Sequence, residues 1–298
     1  MTTSGTAADP VEVEFTIDGA NDAPVVLLLG PLGLDWSVWK EQVAALRDEF
    51  RVIRYNHRGL GGTPATDVLE GSLTIADLAA DALALLDMLG VQKAHLVGMS
   101  VGALTAMWIA AQYPDRVDRL VTLSAVPRAD QDTPTMLQII SNALHAYENY
   151  YAFGTPLGWK EHAEIAREEG MDAAAAAMMK VLFTKEIEEQ FPEATDDVHR
   201  QLLALDPGYY AAMCEIVGRV DLTPLLRKIQ APLAILAAED DWSTPPGTSR
   251  QITLAVPDSI RIIIPKAAHL STYPDPWLVA GKIVGHLTGT LSDRANIS

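Results

Sequence analysis
The sequence feature that most constrains the fold is Gly98-Met99-Ser100-Val101-Gly102, together with what flanks it. Residues 75–89 carry a helical pattern, residues 94–97 form a short apolar run that reads as a buried parallel strand, and residues 103–113 carry a second helical pattern. The order is therefore helix, strand, sharp turn, helix, with Gly-x-Ser-x-Gly in the turn. Glycines at 98 and 102 let the strand and the following helix crowd together. Ser100 between them is then expected in a strained conformation with its oxygen presented at the turn. It also falls at a helix N-terminus, where unpartnered N–H groups and the positive end of the dipole favour developing negative charge. Ser100 is the candidate nucleophile.

The rest of the chain has the period such a turn requires. Residues 11–17 alternate apolar and polar, as a half-exposed edge strand does. Residues 25–29 and 51–55 read as strands, 39–46 as a helix, and 117–123 as a strand. Thr74 followed three residues on by Asp77 has the spacing of a helix cap. Strands alternating with helices through short loops give a mostly parallel sheet with helices on both faces. The pattern changes at Val126. Helical segments alone follow, at 136–151, 159–169, 172–182, 194–205 and 209–217. Strands resume at 233–237 and 262–264, with helices near 248–256 and at 276–287. The expected organisation is a tail over 1–10, an α/β core over 11–125 and 229–298, and an inserted helical lid over 126–228.

A chain of 298 residues, 49% of them hydrophobic, has the material for one large core with such an insertion. Its net charge of −17 makes nucleic acid and anionic membrane poor partners. The one cysteine, Cys214, allows no internal disulfide and suits a reducing cytoplasm. Residues 1–10 lack a basic stretch and an apolar core, so they read as a frayed tail and not as a signal peptide. No apolar run reaches membrane-spanning length, and no cluster has metal-ligand spacing.

In an open parallel sheet, functional residues collect in loops at the carboxyl ends of the strands. Three groups fall there in chain order: Ser100, an aspartate at 240 or 241, and His269. A serine hydroxyl is a weak nucleophile until a base takes its proton, imidazole titrates near neutrality, and a carboxylate fixes the imidazole tautomer. Neighbouring residues leaving a strand point in different directions, so only one of Asp240 and Asp241 should reach His269. Two backbone donors are needed for the oxyanion. The N–H of Val101 follows the nucleophile, and Leu32 follows Pro31, which has no N–H, in the loop after strand 25–29. His57, at a strand end, is a loop-ordering or pocket residue. Met178-Met179, Tyr150-Tyr151 and Tyr209-Tyr210 read as packing.

Together these residues resemble the α/β-hydrolase family, in which the order is Ser, acid, His. Within it the chain is most similar to the 3-oxoadipate enol-lactonases. The resemblance rests on Leu32-Gly33 with Trp39, on the run from Arg51 to Tyr55 leading to His57-Arg58-Gly59, on the elbow, and on Tyr113-Pro114-Asp115-Arg116. It continues through Gly158-Trp159, Glu169-Gly170-Met171, Phe183-Thr184 and Asp206-Pro207-Gly208-Tyr209 to Asp241-Trp242-Ser243-Thr244-Pro245-Pro246 and Ala267-Ala268-His269-Leu270. The family's acid stands four residues before the first proline of Thr-Pro-Pro, which carries over to Asp241. The chain departs from the family pattern at Gly30-Pro31 and in residues 129–156, which are longer than in a simple enol-lactonase lid.

The resemblance implies a cofactor-independent hydrolase that cleaves a small ester or lactone through Ser100, His269 and Asp241. Trp159 and Arg128 are candidate pocket residues from the lid. C–C bond hydrolysis, acyl transfer and perhydrolysis use the same scaffold, and a low-turnover ligand-binding receptor would keep the fold. The sequence leaves these alternatives, the particular substrate and the number of subunits open.

Overall fold
The computed structural model describes residues 10–65, 73–128 and 158–291. The expectations for the tail before Pro10, for a helix over 136–151, for Tyr150-Tyr151 and for the long segment 129–156 concern residues outside those described. The strands are β1 (Phe15–Asp18), β2 (Val25–Leu29), β3 (Arg51–Tyr55), β4 (Ala94–Met99), β5 (Val117–Leu123), β6 (Leu233–Ala238) and β7 (Ser259–Ile264). They form one seven-stranded sheet in the order β1-β3-β2-β4-β5-β6-β7, parallel except for β1. All six residues of β4 and of β6 are buried, which explains the unbroken apolar sequence of β6 and the apolar run of β4 around its one polar side chain, His95. The edge strand β7 instead buries Ile262 and Ile264 and exposes Ile263.

β1 is shorter than the alternation over 11–17 predicts. Its partner β3 ends at Tyr55, opposite Phe15, so residues further upstream have no strand to pair with. The Glu14 carbonyl still accepts the Asn56 N–H at 3.0 Å, while the N–H groups of Val11 and Glu14 bond to side chains, Asp81 Oδ1 and Thr63 Oγ1, each at 2.9 Å.

The helices are α1 (Lys40–Leu46), α2 (Ile75–Met88), α3 (Val101–Gln112), α4 (Trp159–Glu168), α5 (Met171–Leu182), α6 (Lys185–Gln190), α7 (Pro192–Leu203), α8 (Pro207–Arg219), α9 (Arg250–Ala255) and α10 (Pro276–Leu287). Thr74 opens α2 as its spacing predicts, with its N–H and hydroxyl both on Asp77 Oδ2, at 2.6 and 2.7 Å. α1 packs with α10, and α2 with α3. α3 is buried along nearly its whole length against β4 and β5. Among the described residues no helix is long and apolar enough to cross a membrane.

Helices α4 to α8 lie between β5 and β6. The chain at the two ends of this segment meets in a neck: Arg128 pairs with Asp221 in an antiparallel bridge, and Leu222 N–H bonds to the Pro127 carbonyl at 2.7 Å. α6 has no counterpart in the sequence reading. It is six residues long, capped by Thr184, with Ile187 its one buried residue, so it has no apolar period to detect.

α4 packs on α8, with His162 buried between them and its Nδ1 3.4 Å from the Tyr210 hydroxyl. Burial pushes the His162 imidazole down to about 4, and Glu161 opposes the shift. The unfolded chain takes up this proton near its ordinary value of 6.5, so between the two values the unfolded state binds more protons. His162 therefore contributes fully to stability above 6.5 and loses that contribution as pH falls toward 4, by up to about 3 kcal/mol. Urea unfolding across this range is expected to show a shallower loss of stability in His162→Gln than in the wild type; equal slopes would refute the assignment.

Candidate active site
Ser100 stands between β4 and α3 with φ 54° and ψ −121°. A serine in this region carries strain of about 1–3 kcal/mol, which the surroundings must offset. They do so by hydrogen bonds: Ser100 N–H reaches the Leu123 carbonyl at the end of β5 at 3.0 Å, and Ala103 and Leu104 donate back to the Ser100 carbonyl at 2.9 and 3.1 Å. The flanking glycines are required by contact. A Cβ on Gly98 would overlap the Gly102 carbonyl, and one on Gly102 would overlap the carbonyls of Leu29 and Gly30. α3 thus begins at Val101, two residues earlier than its apolar pattern predicts, hard against the end of β2. The Val101 N–H lies in the first turn of α3, where N–H groups have no intrahelical partner.

His269 Nε2 lies 2.9 Å from Ser100 Oγ, and its Nδ1 lies 2.8 Å from Asp241 Oδ2. A carboxylate only accepts, so Nδ1–H donates to Asp241 and bare Nε2 accepts from the serine hydroxyl. These groups come together from positions up to 169 residues apart. Ser100 is 7% exposed, and His269 and Asp241 are 2% exposed.

Asp241 is held from behind by the residues after it. Its Oδ1 accepts from the N–H groups of Ser243 at 3.0 Å and Thr244 at 2.8 Å, and its Oδ2 accepts from the Thr244 hydroxyl at 2.5 Å. Burial raises its pKa, but His269 and the bonds from His269 and Thr244 outweigh that and hold the carboxyl below the usual carboxylate range. The Thr244-Pro245-Pro246 spacing thus has a physical reason: Thr244 is the donor that orients the acid. Asp240, half-buried, donates its N–H to the Ala267 carbonyl at 2.9 Å.

Leu32 is buried in the loop after β2, the loop whose Gly30 carbonyl meets Gly102 at the start of α3. That loop is ordered from below by His57, whose Nε2–H donates to the Gly30 carbonyl at 3.1 Å. Its Nδ1 faces the Tyr55 hydroxyl at 3.4 Å, and burial pushes the imidazole below its ordinary value, the Gly30 bond working against the shift. Both ring nitrogens are thus engaged, which fits the loop-ordering role expected of His57. Trp159 packs against α8, its Cβ against Gly218 and its ring 5.7 Å from that of His162. Arg128 is exposed at the neck opposite Asp221. Among the described residues no cluster of His, Cys, Asp or Glu could hold a metal ion.

Residues 24–276 match the model of the α/β hydrolase fold family. The chain belongs to the α/β-hydrolase fold family. It is 25% identical over 269 residues to 3-oxoadipate enol-lactonase 2 of Acinetobacter baylyi, covering 90% of each chain. It is 29% identical over 279 residues to the Shigella flexneri protein provisionally named carbamate hydrolase RutD, covering 92% of this chain and 94% of that one. The crystal structure of the enol-lactonase from Burkholderia xenovorans LB400 superposes with a TM-score of 0.81 at 30% identity, covering 93% of this chain and 97% of that one. Both the resemblance read from the sequence and the expected fold are met by these relatives.

Asp241→Asn is expected to lower kcat by about 10³- to 10⁴-fold, because the amide favours the wrong imidazole tautomer. Asp240→Asn should stay within a few-fold of wild type, and the reverse ranking in steady-state assays would refute the assignment. Gly102→Ala is expected to cost about 1–3 kcal/mol in denaturant unfolding, through overlap with the end of β2.

Proposed function
We propose that the protein hydrolyses a small ester or lactone through an acyl-enzyme formed on Ser100. The observation that carries this reading is the unbroken, buried chain Ser100 Oγ–His269 Nε2 and His269 Nδ1–Asp241 Oδ2 at 2.9 and 2.8 Å. Ser100 Oγ attacks the carbonyl carbon while His269 Nε2 takes its proton, and Asp241 stabilises the imidazolium. The N–H groups of Val101 and Leu32 receive the oxyanion. The intermediate collapses with cleavage of the C–O bond, His269 protonates the departing oxygen, and the acyl group stays on Ser100 as an ester. For a lactone both fragments remain one chain. Water then attacks the acyl-enzyme with His269 as base, and the carboxylic acid leaves. The scheme draws only on protein groups and water.

We further propose that helices α4 to α8 roof this site. The neck at residues 127–128 and 221–222 and the burial of Ser100 support a closed cleft, which suits a compact ring better than a long acyl chain. The similarity to enol-lactonases points the same way. The similarity to the carbamate hydrolase favours a second reading, in which the same groups release an amine.

Ser100→Ala is expected to reduce turnover by about 10⁴-fold or more and to abolish labelling by a serine-directed phosphonate. Near-normal turnover in that variant would refute the covalent scheme. kcat/KM across enol-lactones, saturated lactones, esters of increasing chain length and carbamates, with product masses recorded, identifies the substrate class. Compact lactones or short esters are expected to lead; a preference rising steadily with chain length would overturn the closed-cleft reading.

A further inference from the structure
The loops bearing Asp241 and His269 leave different strands, yet each continues into a bond with the same helix end. Trp242, directly after the acid, donates its indole Nε1–H to the Lys180 carbonyl at 3.1 Å. Leu270, directly after the histidine, donates its N–H to the Leu182 carbonyl at 3.1 Å. Lys180 and Leu182 lie in the last turn of α5, where carbonyls have no intrahelical partner. Beyond that turn, Phe183 is buried with its ring 6.1 Å from Tyr273, and Phe191 meets the same tyrosine at 5.1 Å. The loop after His269 is therefore gripped along its length by the insert.

The oxyanion loop is tied to the insert in the same way. Gln201 of α7 accepts from Asp35 N–H at 3.0 Å and donates to Ser37 Oγ at 3.2 Å. Leu202 and Leu205 pack where a side chain on Gly33, at φ +77°, would stand.

We propose that the C-terminal turn of α5 is a brace that sets the Asp241–His269 pair, and that Trp242 is a positioning residue acting through the acid loop. The proposal rests on the reading of Ser100, His269 and Asp241 as the reacting groups. His269 must keep hydrogen-bond distance to two partners at once, and a displacement of about 1 Å at such a centre can cost about 10²-fold in rate. Both loops end on one rigid helix turn, so their separation is fixed by that turn as well as by the sheet. The indole bond itself lies at the surface and adds little to global stability, so its loss should free the acid loop while the fold stands.

Trp242→Phe removes the N–H and keeps an aromatic ring. On the best ester of the substrate panel it is expected to lower kcat by about ten- to a hundred-fold, with KM changed by less than about twofold. Its unfolding midpoint should stay close to wild type. The far-downfield proton resonance of the His269 Nδ1–H···Asp241 bond, identified by its absence from Asp241→Asn, is expected to broaden or move upfield. A residue that only packs would leave that resonance in place. If Trp242→Phe fails to fold, 3-benzothienylalanine at position 242 exchanges only the N–H for sulfur and gives the same reading. Wild-type kcat with an unmoved resonance would overturn the brace. Turnover retained in Ser100→Ala would overturn the underlying triad, so the two failures are distinguishable.

Discussion
Everything at this site depends on how closely α3 can be pressed against the end of β2. At Gly102 the helix backbone meets the carbonyls of Leu29 and Gly30 with no room for a methyl group. That contact sets the first turn of α3, with its unpartnered N–H groups, beside the loop that contains Leu32. It also forces the chain at Ser100 into its positive-φ turn, which the bond to Leu123 and the returning bonds from Ala103 and Leu104 hold in place. Strain at one residue is thus offset by bonds to β5 and to the helix it begins. His57 completes the arrangement from the other side by holding the Gly30 carbonyl.

A second constraint fixes the floor beneath these loops. Arg58, next to His57, is fully buried and makes two bonds to Asp81 of α2, at 2.6 and 2.7 Å. Replacing a buried ion pair with apolar groups is often neutral, but removing one partner typically costs about 3–5 kcal/mol because the other charge is stranded. The pair therefore acts as a registration device. It ties the loop after β3 to α2, and Asp81 ties Val11 to the same point. α5 and α7 are bonded to the loops after β6, β7 and β2. The packing of these helices and the geometry of the hydrogen-bonded chain are therefore one problem.

What could be read from the sequence is what depends on neighbours along the chain. Gly98, Ser100 and Gly102 specify a strand–turn–helix because steric crowding acts over five residues. The buried strands announce themselves because both of their faces are covered, and Thr74 with Asp77 marks a helix start because a cap acts over three residues. His269 and the 240–241 pair could be nominated from their places after apolar strands. The choice between Asp240 and Asp241 came from a family spacing, and its physical cause, Thr244 binding the carboxylate, is visible only in three dimensions. Trp159, Arg128 and His57 have generic chemistry, and what each touches is visible only in the fold: Trp159 meets Gly218, Arg128 bridges to Asp221 and His57 bonds to the Gly30 carbonyl.

The sequence by itself determined the order of the elements, the elbow and the types of the reacting groups, since these follow from local sterics, periodicity and intrinsic side-chain chemistry. Tertiary structure alone decided which groups meet. The strand order β2-β4-β5-β6-β7 brings Ser100 and His269 within 2.9 Å across 169 residues, and no local pattern encodes that order. It likewise decided that Trp242 and Leu270 find the end of α5, because an orphan carbonyl accepts from whichever donor the packing brings to it.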